Sequence, residues 1–209
     1  MKVLVLIALF KYSSGQQILC DTLRGNYVGP MLTFGRPMED GDTVIVNGTV
    51  SPAPVSVIID LRAPNGADPT YRSFHMHAKP TLLGYVMIYD TFQNGKWTNQ
   101  ILKGTSPLSA GQPFSISITK LITGYQVKSY GSDIFHFPRR HPNEWQVTGM
   151  VVNVPGSVTT SSITMKCIRP IRKPGNGHGN GHGHGHGGHG GHGGHGHGKF
   201  SSSSEECRG

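Results

Sequence analysis

Apolar and polar residues alternate strictly through Phe114-Ser115-Ile116-Ser117-Ile118-Thr119, and this period of two constrains the fold more than any other feature of the chain. Successive side chains of an extended strand point to opposite faces, so such a run buries one face and wets the other. Short runs of the same kind recur at Thr43 to Val50, Val55 to Leu61, Tyr71 to Lys79, Tyr85 to Phe92, Tyr125 to Tyr130, Asp133 to Phe137, Gln146 to Val152 and Ser161 to Ile168. Turn chemistry falls between them, at Pro64-Asn65-Gly66, Gln93-Asn94-Gly95, Ala110-Gly111-Gln112-Pro113 and Tyr130-Gly131-Ser132. No segment sustains a helical period. Residues 16–171 therefore read as an all-β domain, an antiparallel sandwich of two sheets around a shared core.

The two ends of the chain have different physics. Lys2, the apolar run Val3 to Phe10 and the polar, small-residue end Tyr12-Ser13-Ser14-Gly15 form the pattern of a secretory signal over residues 1–15, with an apolar run too short to span a bilayer. A secreted, extracellular protein follows from that reading, with no transmembrane segment. Secretion changes the meaning of the three cysteines, because thiols pair in an oxidising compartment. A Cys20–Cys167 bridge would staple the two ends of the sandwich, leaving Cys207 to cross-link a homodimer. Asn47-Gly48-Thr49 is an N-glycosylation sequon.

Beyond the predicted domain, residues 172–209 are rich in glycine, histidine, serine and glutamate, with too few apolar side chains to offset the entropy of ordering, so this tail reads as disordered. It holds eight of the twelve histidines: His178, His182, His184, His186, His189, His192, His195 and His197. A flexible glycine chain can gather several neutral imidazoles around Zn(II), Cu(II) or Ni(II), or it can serve as a plain spacer. No cofactor is required by anything else in the sequence.

The formal charge is +8, and removal of Lys2 and Lys11 with the signal leaves 8 − 2 = +6. The basic residues are scattered rather than clustered, which argues against nucleic acid as a partner. No arrangement of nucleophile, base and oxyanion donors appears, nor a paired-carboxylate motif or a phosphate-binding loop, so the chain does not read as an enzyme.

Several motifs in order carry a family resemblance. Met31-Leu32-Thr33-Phe34-Gly35, Gly41 to Val50, Asp90-Thr91-Phe92-Gln93-Asn94-Gly95-Lys96-Trp97, Ala110-Gly111-Gln112-Pro113-Phe114, Phe135-His136-Phe137-Pro138-Arg139-Arg140 and Ile163-Thr164-Met165-Lys166-Cys167 resemble, in turn, the strands and turns of a galectin carbohydrate-recognition domain. The resemblance implies a galectin-like sandwich of the lectin type that binds glycans or glycoproteins, β-galactosides above all, across one sheet. The family signature is His-x-Asn-Pro-Arg, an Asn on the next strand, then Trp-x-x-Glu-x-Arg. An ungapped register sets His77 on the histidine, Lys79 on the Asn, Thr81 on the Arg, Asp90 on the strand Asn, Trp97 on the Trp, Gln100 on the Glu and Leu102 on the last Arg. A second register begins at His75 and puts His77 on the Asn and Lys79 on the Arg.

The chemistry of these positions is partly kept. An indole offers a rigid apolar surface to the C–H face of a pyranose, and an imidazole can exchange a hydrogen bond with an axial hydroxyl. Trp97, His77, Lys79, Asp90 and Gln100, with His75 beside them, are the candidate carbohydrate contacts. Thr81, Gln100 and Leu102 remove the charged network that orients sugar hydroxyls in the family, so the specificity is either altered or lost. In the second case the protein is a structural or metal-binding matrix component acting through its tail and Cys207. Of the remaining candidates, Trp145 reads as structural, and His136 and His141 as surface or loop histidines.

Overall fold

The computed structural model describes residues 16–53, 56–63, 70–81, 84–104, 106–140, 146–153 and 158–169. The predicted signal, His141, Trp145, the tail histidines and Cys207 lie outside them. In chain order the strands are β1 (Gln17–Ile18), β2 (Thr22–Arg24), β3 (Leu32–Phe34), β4 (Thr43–Val50), β5 (Val57–Arg62), β6 (Arg72–Thr81), β7 (Gly84–Gln93), β8 (Lys96–Trp97), β9 (Ile101–Lys103), β10 (Pro113–Leu121), β11 (Gly124–Ser129), β12 (Ser132–Pro138), β13 (Gly149–Asn153) and β14 (Val158–Lys166). There is no helix among the described residues. Eight strands form one sheet in the order β1-β3-β13-β5-β6-β7-β8, with β9 also on β7, and six form the other in the order β12-β11-β10-β4-β14-β2. The pairings are antiparallel apart from β1 on β3. The fold is thus the two-sheet sandwich that the alternating runs imply.

The alternation decides which side chains fill the space between the sheets. Val44 and Val46 of β4, Ile116 and Ile118 of β10 and Ile163 of β14 are fully buried, as are Val57, Ile59 and Leu61 of β5 and Phe74, Met76 and Ala78 of β6. Phe74 anchors an aromatic cluster, with ring centroids 5.2 Å from Tyr125, 5.5 Å from Phe137 and 6.1 Å from Tyr89. The Tyr125 hydroxyl, buried with these rings, donates to Ser73 Oγ at 2.8 Å, as a buried polar group must find a partner. Burial pushes the phenol's proton affinity up, so it stays neutral.

Two hairpins turn on residues that the sequence marks. Gln93 pairs with Lys96 across Asn94-Gly95, and Ser129 with Ser132 across Tyr130-Gly131. Both central residues of each turn have positive φ, 50° and 75° in the first and 48° and 84° in the second. That is the two-residue primed turn whose twist matches the flanking strands, and it explains why glycine stands second in each.

The sequon residue Asn47 lies mid-strand in β4, half-buried. Its amide donates to Ser162 Oγ at 3.1 Å, a bond that a glycan at this nitrogen would replace.

The ends of the sandwich are held together covalently. Cys20 and Cys167 form a disulfide, 147 residues apart in sequence with Cα atoms 5.4 Å apart. Beside it the fully buried Asp42 accepts from Arg36 at 2.6 and 3.1 Å and from the amides of Glu39 and Ile168 at 2.8 and 2.9 Å. Burial alone would raise the proton affinity of this carboxyl, but the Arg36 guanidinium and the two amides outweigh it and hold it below the usual range. Replacing Cys20 and Cys167 together with alanine is expected to lower the unfolding free energy by about 2–5 kcal/mol. The measurement is the urea midpoint, and an unchanged midpoint would mean that the Asp42 contacts and the strand pairing hold the ends unaided.

Candidate functional site

On the open face of the eight-stranded sheet, β5, β6 and β7 align a row of polar side chains. Asp60 pairs across β5 and β6 with His75, and His75 pairs across β6 and β7 with Asp90. Because inward positions alternate with outward ones, Asp60, His75, His77, Lys79 and Asp90 share this face while Ile59, Phe74, Met76 and Tyr89 point into the core. A β-bulge breaks the alternation between Arg72 and His75. Ser73 turns inward to the Tyr125 hydroxyl, and Arg72 swings onto the open face beside His75.

The Asn94-Gly95 turn then places Trp97 directly opposite Phe92. Trp97 is 41% exposed. Its ring lies 4.4 Å from His75 and 5.0 Å from Phe92, centroid to centroid, and the Arg72 guanidinium stands 5.2 Å from its centre and 5.0 Å from that of Phe92. These distances suit aromatic packing and cation–π attraction. Trp97 therefore packs on His75 rather than His77. His75 also sits across from Asp90, whereas His77 sits across from Ile88.

Two buried carboxylates fix these groups. The Asp60 side chain has no solvent exposure; its Oδ1 lies 2.6 Å from His75 Nδ1, and its Oδ2 lies 3.3 Å from Arg62 and 3.5 Å from Arg72. With Asp60 ionised, Nδ1 carries the proton and donates, which orients the ring. Asp90 is also buried. Its Oδ1 accepts from Arg140 at 2.8 Å, from the amides of Thr91 at 2.7 Å and Asn99 at 3.0 Å, and more weakly from the Thr98 hydroxyl at 3.4 Å. Arg140 donates to Thr98 Oγ1 as well, at 3.0 Å. Asp90 Oδ1 is thus spent on Arg140 and the segment between β8 and β9, while the buried Oδ2 has no hydrogen-bond partner among the described residues.

The other candidates spread outward along the same face. His77 is half-buried, with Nε2 2.9 Å from Ser56 Oγ and its ring centroid 5.8 Å from that of His75. Burial lowers its proton affinity, the nearby His75 and Lys79 lower it further, and Asp60 opposes them. Lys79 and Gln100 are exposed, as are Thr81 and Leu102 at the positions where the family would carry arginine in the ungapped register. Among the described residues no group of three or more histidine, cysteine, aspartate or glutamate side chains could hold a metal.

Asp60, Arg62, Arg72 and Arg140 are site residues that sequence reasoning does not single out. Asp60 ends the apolar run Val57-Ile58-Ile59 on the outward parity, a visible signal that a charge lies on this face. Arg72 had no such signal, because the bulge inverts the parity that the sequence suggests. Arg140 closes the Phe-Pro-Arg-Arg stretch after β12, but its contact with Asp90 spans 50 residues.

Substituting Arg140 with alanine removes the cation paired with Asp90 and is expected to cost about 3 kcal/mol, the lower end for a broken buried pair because Arg140 keeps some water contact. Trp97 fluorescence should shift in the same variant, since Thr98 and Asn99 lose their common anchor; an unaltered spectrum would show that β8 holds the indole by itself. By NMR, His77 should titrate below the ordinary histidine value of about 6.5. A depressed folded-state value means that the unfolded chain binds the proton more readily. The contribution to stability is then complete above about 6.5 and is lost as pH falls through the folded value.

Comparison with known proteins agrees with this architecture. The family model for galactoside-binding lectins matches residues 31–165. Galectin-4 of Sus scrofa is 26% identical over 122 residues, which cover 58% of this chain and 36% of that protein. Grifin of Rattus norvegicus is 25% identical over 65 residues, covering 31% of this chain and 45% of its own length. The chain thus matches less than half the length of these curated relatives. Galectin LEC-6 of Caenorhabditis elegans superposes with a TM-score of 0.59 at 13% identity, over 70% of this chain and 96% of that one. Toad ovary galectin, solved in complex with N-acetylgalactose, gives a TM-score of 0.57 at 18% identity over 67% and 99% of the two chains. With 135 consecutive residues inside the family match (165 − 31 + 1), and with the sandwich those residues build, this chain belongs to the galactoside-binding lectins, the galectins.

Proposed function

We propose that this protein is a secreted lectin that binds extracellular glycans on the open face of β5, β6 and β7, with a specificity altered from that of ordinary β-galactoside binders. The observation that carries the reading is Trp97, an indole left 41% exposed on the open face, with His75 and Phe92 packed against it and the Arg72 guanidinium 5.2 Å from its ring centre. Leaving a tryptophan in water forgoes a large burial gain, and stacking on a saccharide recovers it. The exposed Lys79 and Gln100 supply further polar groups, the buried His75, oriented by Asp60, backs the indole, and His77 adds a ring nitrogen already shared with Ser56. Asp90 supports the site from below. The Cys20–Cys167 disulfide supports secretion, because such bridges persist in oxidising compartments. Nothing in this reading calls for chemistry on the ligand.

The eight tail histidines form a second, separable element, which we assign to Zn(II), Cu(II) or Ni(II) binding, with Cys207 available to link two chains. One experiment addresses both elements: a glycan array and zinc titration on the full chain, on a chain ending at residue 171, and on Trp97→Ala. Glycan binding should survive loss of the tail and fall at least about tenfold with Trp97→Ala, as expected for a central aromatic contact. Zinc uptake should vanish with the tail alone. Stoichiometric zinc uptake by a protein that binds no glycan would instead make the sandwich a head for tail-mediated assembly.

A further inference from the structure

We propose that the saccharide taken by this face is anionic, bearing a sulfate or a carboxylate that docks on Arg72 beside Trp97, with Lys79 a second cation farther along β6; the inference rests on the lectin reading and names its ligand class. The fold concentrates charge that the sequence scatters. Arg62, Arg72, Lys79 and Arg140 reach this region, against Asp60 and Asp90, the only acids among the described residues of β5 to β9. Over the strand residues of β5 to β9, with Lys96 and Lys103 counted and Arg140 left out, the formal balance is 5 − 2 = +3 with both histidines neutral.

Depth matters more than the sum. Both carboxylates are buried, at 0% and 1% side-chain exposure, whereas Arg62 and Arg72 remain 19% and 24% exposed and Lys79 is exposed. A ligand approaching the face meets the cations first, and low-dielectric walls around them strengthen the field it feels. One Asp60 charge serves two guanidinium groups and the His75 ring, with arginine distances of 3.3 and 3.5 Å that are long for charge-assisted bonds. Arg72 is therefore incompletely neutralised, and it stands 5.2 Å from the Trp97 ring. A sugar packed on the exposed indole surface would bring a charged substituent within reach of that guanidinium. No exposed acid among the described residues of β5 to β9 repels it, because the position equivalent to the family glutamate is Gln100.

The test uses the full chain at pH 7.5 with a chelator present, so that the tail histidines are neutral and metal-free. Neutral β-galactosides are compared with their sulfated and sialylated counterparts, and the two anionic arms identify the substituent. The anionic member of a pair should bind at least about tenfold more tightly than the neutral one. Arg72→Gln should shrink that ratio toward one, Lys79→Gln should shrink it less, and Trp97→Ala should weaken binding of both members at least about tenfold. Lys79 is exposed, so its variant reports on recognition even if Arg72→Gln melts early. Neutral and anionic glycans bound within about twofold of each other would overturn the inference and leave the lectin reading standing. Anion binding indifferent to Trp97→Ala would also overturn it, as simple polyanion adhesion. Failure to bind any saccharide would remove the lectin reading itself.

Discussion

A carboxylate sealed from water has to be answered by donors, and the candidate site depends on how Asp90 is answered. Four groups converge on one oxygen: Arg140, the amides of Thr91 and Asn99, and the Thr98 hydroxyl. Thr98 and Asn99 follow Trp97 in sequence, so the carboxylate pins the segment that would otherwise leave the indole on a two-residue strand. Arg140 enters from the chain beyond β12 and packs its guanidinium 4.7 Å from the centre of the Phe137 ring, which belongs to the core cluster. One charge pair thereby ties the rim of the site to the aromatic centre of the sandwich.

Asp60 has the matching role on β5, the strand on the other side of His75. The row Asp60, His75, Asp90 runs straight across three strands, so the two buried acids flank the histidine on which Trp97 packs. Neither acid is placed to meet a ligand. Each orients groups nearer the surface: Asp60 the Arg62 and Arg72 forks and, through the buried His75 ring, the indole packed on it; Asp90 the loop behind Trp97. Buried charges of this kind add little net stability after desolvation, but removing one partner is costly, so they specify geometry more than they strengthen the fold.

The sandwich was largely legible in the sequence because period-two alternation and the Asn-Gly and Tyr-Gly turns are local signals whose physics does not depend on distant residues. Phe114 to Thr119 and Thr43 to Val50 became β10 and β4, the neighbouring strands of the six-stranded sheet. The short edge pieces β1, β2, β8 and β9 lacked the length to show a pattern and owe their pairing to neighbours. The site was only half legible. Trp97, His75, His77 and Lys79 fall on one face as their spacing implies. Asp90 does too, but nothing local announces that Arg140 will claim it. The parity of Arg72 was unreadable for a definite reason: one inserted residue at Ser73 flips every side chain before it to the other face.

That flip bears on what this galectin has done with the family's arginines. In the ungapped register their places hold Thr81 and Leu102, both exposed and neither able to donate as a guanidinium does. Guanidinium groups are present on the face nonetheless, at Arg62 and Arg72, which face each other across β5 and β6. The bulge brings the second of them level with Trp97. Planar donors thus stand at the opposite end of β6 from Thr81 and on neighbouring β5, where Asp60 underlies them and the indole lies beside Arg72. Positive charge in that position, backed by a buried acid rather than paired with a surface one, is not cancelled before a ligand arrives.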